Sequence, residues 1–354
     1  VDSALVFGQP LHQVKLQAQH TTNAWRAQIE SNELAGKIVL PDDWDYPLQM
    51  ELTRLYISTA ESGDKKAAAG ASPSTPDKSA DKPVDPRELP PLQIKSADTR
   101  LGKAALGRME LLTTRRLNGM SIDSLNLDSA TANIKLRGGW LQGVDAKQHS
   151  YINGTLDIHD LGDLLSGFGY VETVKGGKGS SNVDLKWSGA IIDPAVARLE
   201  GMVDFDLEGG RLLEVDPGAG RLFGLLSVQA LPRRLTLDFS DLFGKGLAFD
   251  YMRGRFDFKD GNAVTDNFVL DGPSAQVELQ GRVGLVARDY DQQLKVIPHF
   301  TSSLPLAGAV VGGVVVGAAV LLVEKLLKSN IDRATGINYR VTGSWDNPVM
   351  ARQE

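Results

Sequence analysis

The sequence predicts a mainly β protein built on a long, twisted antiparallel sheet with few helices. The first observation is a strict alternation of apolar and polar residues, as at Val203, Phe205 and Leu207, which is typical of half-buried strands. The second is the recurrence of glycine, asparagine and aspartate pairs between such stretches, which suits an antiparallel meander. The third is that only residues 160–168 and 217–231 show a helical pattern.

The alternating stretches give each predicted strand one apolar and one polar side. Besides 203–207, they lie at 25–29, 183–187, 235–239, 256–258 and 277–279. Glycine-rich residues 176–180 lack the spacing of a phosphate-binding loop and predict an ordinary loop. Turns are predicted at Asn118-Gly119, Gly138-Gly139, Asn153-Gly154, Gly209-Gly210, Asp260-Gly261 and Asp271-Gly272.

The apolar face of such a sheet has to be covered, and two helices cannot cover so many strands. Two architectures satisfy this requirement. Either a second sheet packs on the first to form a sandwich, or the apolar face lines a groove that another apolar substance fills. In the second case the residues facing that substance are Val203, Phe205, Leu207, Leu235, Leu237, Phe239, Phe256, Phe258, Val277 and Leu279.

Composition suggests how the chain is divided. Residues 59–90 interleave prolines with small and charged residues, which predicts a flexible linker or loop. The expected units are a partial β unit (1–58), this linker, β units with short helices (91–299), an apolar helical segment (300–330), and a closing strand with a tail (331–354). The chain begins at Val1 without a signal pattern, so we expect a fragment or a processed form.

The segment 300–323 contains no charged residue, and as a helix its last 20 residues would be about 30 Å long, the thickness of a bilayer core. Three interpretations remain open: a tip that dips into one leaflet, a cap packed on the protein's own groove, and a transmembrane span. A strand predicted at 336–345 favours the tip, because it would return the chain to the same sheet. The candidate membrane-contact residues are Leu304, Leu306, Val310, Val311, Val314, Val315, Val316, Val320, Leu321 and Leu322.

Charge and composition exclude several function classes. The 38 basic and 44 acidic residues give a net charge of -6, and there is no long basic block, so nucleic acid is not an expected partner. The absence of cysteine excludes disulfides, thiolate metal sites and a cysteine nucleophile. The five histidines are scattered without metal-ligand spacing, and no nucleophile-elbow motif occurs. The sequence therefore predicts no enzyme, no metal and no cofactor.

Several stretches near the C-terminus resemble the C-terminal part of AsmA-like proteins, most closely the YhdP-type members. They are residues 251–262, 270–283 and 289–298, the glycine-rich apolar segment that follows, and the closing run from Gly343 to Pro348. The resemblance covers most of residues 92–350. It implies a mainly β fold in which a long twisted antiparallel sheet forms a groove of repeated β units, with a few helices and one apolar C-terminal helix or helical hairpin.

The resemblance also implies a function. Such a protein would lie in the periplasm of a Gram-negative bacterium, with the full-length chain anchored in the inner membrane. Its groove would conduct phospholipids passively between inner and outer membrane, and expected partners are phospholipids, a membrane and other envelope proteins. The residues leave two alternatives: an envelope scaffold or assembly factor with a closed β-sandwich, which two packed sheets would support, and an envelope hydrolase, which needs an acid and a base clustered in a pocket.

Overall fold

The computed structural model describes residues 3–6, 9–58, 84–145, 147–170, 173–194, 196–213, 246–299 and 336–353. Strands β1 (Ser3–Val6) and β2 (Gln9–His12) form a separate hairpin. One helix, α1 (Leu161–Gly167), and a short 3-10 turn at Val196–Arg198 accompany the strands. The sheet strands are β3 (Lys15–His20), β4 (Ala24–Glu30), β5 (Leu34–Pro41), β6 (Leu48–Ile57), β7 (Leu92–Leu101), β8 (Ala104–Arg116), β9 (Gly119–Asp128), β10 (Ala132–Gln142), β11 (Gln148–Ile158), β12 (Val174–Ser188), β13 (Leu199–Leu212), β14 (Leu247–Lys259), β15 (Asn262–Asp271), β16 (Ala275–Gly284), β17 (Asp289–Pro298), β18 (Ile337–Ser344) and β19 (Asn347–Gln353).

These 17 strands form one long, twisted, open sheet, which confirms the predicted mainly β fold. The apolar C-terminal helix or hairpin predicted with it lies outside the described residues. Each strand pairs with its neighbours in chain order from β3 to β19, and every pairing but one is antiparallel. The exception is β6 with β7, which are parallel, with Leu48 opposite Leu92 and Ile57 opposite Leu101. A parallel pair needs a long crossover connection, which the chain between Ile57 and Leu92 supplies.

One face of the sheet is mainly apolar. A single row of cross-strand partners, which we call the central row, runs perpendicular to the strands through all of them, with one register shift between β14 and β15. Its members are Ala18, Ala27, Ile38, Met50, Ile94, Leu111, Leu125, Leu136, Gly154, Val183, Val203 and Phe256, followed beyond the shift by Thr265, Gly281, Gln292, Val341 and Met350.

The opposite face is charged and exposed. The partners next to the central row form a second row in which signs alternate, from Lys37 through Glu51 and Lys95 to Glu110. All four side chains are exposed to solvent. Directly opposed charges of unlike sign stabilise neighbouring strands modestly and keep this face in water. We call the apolar face the inner face and this one the outer face.

The two ends of the strands form two different rims. At one of them, α1 packs on the inner face through Leu164, which is 8% exposed. Asp160 caps the helix by accepting a hydrogen bond from the backbone N–H of Asp163 at 2.9 Å, as the predicted helix at 160–168 requires. The β1–β2 hairpin covers the same side further along, where Leu11 packs in a cluster with Ile29 and Leu52. We call these strand ends the α1 rim.

Three of the glycine pairs predicted as turns lie inside strands instead. Gly138-Gly139 is in β10, Asn153-Gly154 in β11 and Gly209-Gly210 in β13; the loop predicted at 176–180 is likewise part of β12. Gly154 explains the error: it has a φ of 154°, and a Cβ there would lie 2.0 Å from the Lys135 carbonyl oxygen. Glycine in a strand permits a bend and a close backbone approach that other residues do not.

The other three predicted turns and the predicted C-terminal strand are confirmed, whereas the second predicted helix falls outside the described residues. Asn118-Gly119, Asp260-Gly261 and Asp271-Gly272 fall where one strand ends and the next begins, as predicted. The strand predicted at 336–345 is β18, which pairs with β17 so that Ile337 lies opposite Val296. The helix predicted at 217–231 and the strand predicted at 235–239 lie outside the described residues, as does the apolar run 300–323.

The bend at Gly154 predicts a large effect of a side chain there. Gly154→Val should lower the free energy of unfolding by about 2–4 kcal/mol, because it combines a disfavoured backbone conformation with a clash against β10. The matched control is Gly209→Asn: Gly209 has a φ of 60°, which asparagine tolerates, and its Cβ would meet no atom within 4 Å. Urea unfolding of both variants measures the difference. Equal stability of the two variants would contradict the role of Gly154 as a bend.

Candidate functional site

The central row is the floor of an apolar groove. From Ala27 to Val203 its side chains are half-buried, although they lie in the interior of the sheet and are apolar or glycine. With neighbouring strands about 4.8 Å apart, a row through the 17 strands is about 75 Å long. The row is therefore about five times as long as the hydrocarbon depth of one bilayer leaflet, which is about 15 Å.

The structure brings the described groove candidates together on the inner face. Val203 lies opposite Phe256, and Leu207 lies opposite Met252 on the same two strands. Phe258 faces Ala263, while Val277 and Leu279 face Leu270 and Phe268. Phe205 is the remaining described candidate, and its ring contacts Phe256. The other three candidates, Leu235, Leu237 and Phe239, lie outside the described residues, as do all candidate membrane-contact residues.

Three phenylalanines bridge the register shift between β14 and β15. The ring centroids of Phe205, Phe256 and Phe268 are 6.1–6.3 Å apart, with Phe205 and Phe256 stacked. Phe205 lies opposite Gly254, where a Cβ would be 2.9 Å from the Cα of Phe268. The glycine therefore makes room for a close approach, and the aromatic rings keep the inner face continuous where the strand pairing is interrupted.

Most of the groove floor was not among the candidates from the sequence, which include only Val203 and Phe256 of the central row. Met50, Ile94, Leu111, Leu125 and Leu136 belong to the central row but were not among the candidates. A signal was present, because β6 to β10 contain the same alternation of apolar and polar residues. What the sequence did not provide was the register that places these five side chains in one line.

The rim opposite the α1 rim carries all five tryptophans of the chain, and we call it the tryptophan rim. Trp25, Trp140 and Trp187 lie on the inner face near the ends of their strands; Trp44 and Trp345 lie in the turns β5–β6 and β18–β19. The indole N–H of Trp140 donates to Gln148 Oε1 at 3.0 Å, and that of Trp187 donates to the Ala190 carbonyl at 2.8 Å.

The inner face near the tryptophan rim is strongly shielded from water at its C-terminal end. Tyr290 is 5% exposed and packs with Val283 and Val341, and its ring lies 6.4 Å from that of Trp345. Burial raises the pKa of the Tyr290 phenol from about 10 to about 12, and the negative charge of Asp346 acts in the same direction. The phenolate is disfavoured because packing within the chain removes the phenol from water.

Charges in this region are on the outer face and are paired. The Arg282 guanidinium donates two hydrogen bonds of 2.8 Å to the Asp289 carboxylate and thereby holds the pKa of that carboxyl below its usual range. Arg340 pairs with Asp291 at 3.1 Å in the same way. Within the described ranges, no three histidine, aspartate or glutamate side chains are placed to hold a metal ion, and no helix is long and apolar enough to cross a membrane.

The family model for the YhdP protein matches residues 1–350 of this sequence. The chain belongs to the YhdP family. The intermembrane phospholipid transporter YhdP of Escherichia coli strain K12 is 26% identical over 343 residues. The match covers 97% of this chain and 26% of that relative, so the chain spans about a quarter of its length. No solved structure matches the chain. The relative is named as a transporter, which agrees with the prediction that this chain is not an enzyme.

The buried phenol of Tyr290 predicts a loss of stability in alkali. Because its pKa is higher in the folded than in the unfolded chain, its contribution is complete below pH 10 and decreases as the pH rises through 10 to 12. The wild type should lose about 2 kcal/mol relative to Tyr290→Phe by pH 12. Urea unfolding of both proteins at pH 8, 10 and 11.5 tests this, and parallel pH profiles would disprove it.

Proposed function

We propose that the chain is part of a passive phospholipid conduit between the inner and outer membranes of a Gram-negative envelope. The observation that carries this proposal is the central row, a largely apolar track that crosses every strand of the sheet and is half-buried from Ala27 to Val203. Acyl chains lying along this track would supply the missing cover for the inner face. The named function of the Escherichia coli relative supports the same substrate class.

The energetics favour an apolar occupant. Burying apolar surface gains about 25 cal/mol for each Å², so an uncovered track of this length is costly in water. Acyl chains cover it without requiring hydrogen bonds, and they can slide from one strand to the next because each step presents similar aliphatic side chains. Movement along such a track needs no energy source within the chain, and a concentration difference between its two ends would set the direction.

We also propose that the apolar run 300–323 contacts a membrane from one side. The support comes from where the chain leaves the sheet and returns to it: Val296 on β17 lies directly opposite Ile337 on β18. The two ends of the intervening segment therefore start side by side at the α1 rim, an arrangement that suits a tip dipping into one leaflet. In the same proposal, the full-length protein lies in the periplasm and is anchored in the inner membrane.

Photo-crosslinking tests the conduit proposal. A p-benzoylphenylalanine in place of Leu136, on the central row, should capture phospholipid after irradiation, whereas the same probe at the adjacent outer position Arg137 should not. Mass spectrometry of the crosslinked chain, produced in a Gram-negative host, identifies the adduct. Equal labelling at both positions, or none at either, would refute conduction along the inner face.

Flotation with vesicles tests the membrane-contact proposal. Vesicles of phosphatidylethanolamine and phosphatidylglycerol should carry the wild-type chain upward in a density gradient. Val315→Lys combined with Leu321→Lys should reduce the floated fraction at least about tenfold, because a charge within the hydrocarbon region is costly. Val264→Lys, at a 43% exposed position on the outer face, is the control and should leave flotation unchanged. Unchanged flotation of the doubly charged variant would rule out the proposed tip.

A further inference from the structure

Two polar side chains interrupt the central row near its C-terminal end. Thr265 on β15 and Gln292 on β17 are each 3% exposed. Both lie opposite Gly281 on β16, the strand between them. Their apolar neighbours on the inner face include Leu279, Val283 and Val341. Gly281 adds no side chain between them, so the row has a gap bordered by two polar groups. We call this gap the polar notch.

The polar atoms of the notch have no partner within the chain. Thr265 Oγ1 and Gln292 Nε2 are buried and make no hydrogen bond in the described structure, and the same holds for the indole Nε1 of Trp345. Trp345 belongs to the same apolar cluster as Val283, Tyr290 and Val341. Leaving a buried polar group unpaired costs about 1–3 kcal/mol, so three in one region require an explanation.

Three other buried hydroxyls show the usual arrangement, whereas those of Thr99 and Thr173 also have no partner in the described structure. Thr113 Oγ1 accepts a hydrogen bond from the Leu92 backbone N–H at 2.8 Å, and Ser181 Oγ donates to the Asp204 carbonyl at 2.8 Å. Ser150 Oγ donates to the Gly189 carbonyl at the same distance. The hydroxyl of each of these residues therefore has a hydrogen-bond partner in the backbone of another segment. Thr265, Gln292 and Trp345 differ from these three in having no partner. Thr265 and Gln292 also differ from Thr99 and Thr173, because they lie on the central row.

The chemistry of the notch selects the ligand group. An amide N–H₂ and an indole N–H can only donate, and a hydroxyl can donate as well, so the complementary ligand group is an acceptor. The nearby positive charges, Arg282 and Arg340, are on the outer face and already paired with Asp289 and Asp291. A phosphate would lack a cation here, whereas a neutral carbonyl surrounded by apolar groups fits.

We infer that Thr265, Gln292 and Trp345 form a binding site for the ester carbonyls of a diacyl phospholipid. This inference rests on the proposed function and deepens it. The notch lies on the tryptophan-rim side of the groove, three residues from the rim ends of β15 and β17. A lipid held there by its ester groups has its acyl chains along the central row and its head group over the tryptophan rim. Tryptophan suits that position, because its ring is apolar and its N–H is polar.

A comparison of binding affinities for ester and ether lipids tests this site. A diether phosphatidylethanolamine has the head group and chains of the diester lipid but lacks both carbonyls. The purified, delipidated chain should bind the diester lipid about tenfold more tightly, as expected for one or two hydrogen bonds to otherwise unpaired donors. In Thr265→Val combined with Gln292→Met, the affinity ratio should fall towards one, because of the three donors only the indole N–H of Trp345 remains. Thr113→Val is the matched control and should keep the preference.

Thermal unfolding of the lipid-free proteins provides an independent readout. Thr265→Val and Gln292→Met should leave the melting temperature unchanged or raise it, because each removes a buried group without a partner. Thr113→Val should lower it, because Leu92 loses its acceptor. If all three variants lower it equally, the notch groups have ordinary structural roles and the inference is wrong.

The outcomes also separate this inference from the proposed function. Equal affinity of the wild type for ester and ether lipids would overturn the ester site while leaving the conduit intact. Binding of neither lipid would overturn the conduit and the site together. A preference for the diester lipid that persists in the double variant would place ester recognition elsewhere in the groove and would also overturn the assignment to Thr265 and Gln292.

Discussion

The constraint on which the structure depends is that a continuous apolar sheet face has to be kept from water. The 17 strands pair in chain order, so every strand adds its apolar side to the same face. Within the described residues, the only other sheet is the short β1–β2 hairpin, which together with α1 covers part of the α1 rim. The central row stays half-buried over much of its length, and this makes an apolar occupant the simplest completion of the fold.

The curvature of the sheet comes from glycines within its strands rather than from additional secondary-structure elements. Sequence reasoning treated glycine pairs as turns, which was right at Asp260-Gly261 and wrong at Asn153-Gly154. The residue type is the same in both places, because a tight turn and a sharply bent strand both need backbone conformations that other residues avoid. Local sequence cannot separate the two cases. The difference at Gly154 is the neighbouring strand, whose Lys135 carbonyl oxygen lies where a side chain would be.

The two rims give the groove a chemical asymmetry. The α1 rim is covered by apolar packing of α1 and of the N-terminal hairpin, and the chain leaves and re-enters the sheet there around 213–246 and 299–336. The tryptophan rim instead carries indoles and, beside it, buried donors without partners. A groove that is symmetric about its floor would let a lipid lie either way. In the proposed conduit, this difference between the rims would favour a single orientation of the lipid.

The sequence by itself determined the high strand content of the described residues, the helix at 160–168 and the side of each strand that is apolar, because these patterns are local properties of the chain. It also supported the family resemblance, which the match over residues 1–350 confirmed. The tertiary structure alone decided the register. Only pairing between strands aligned Met50 with Ile94 across a parallel junction, gathered five tryptophans on one rim, and placed Thr265 and Gln292 around Gly281. Register depends on hydrogen bonds between segments that are distant in sequence, and a shift by one residue would send every side chain to the other face.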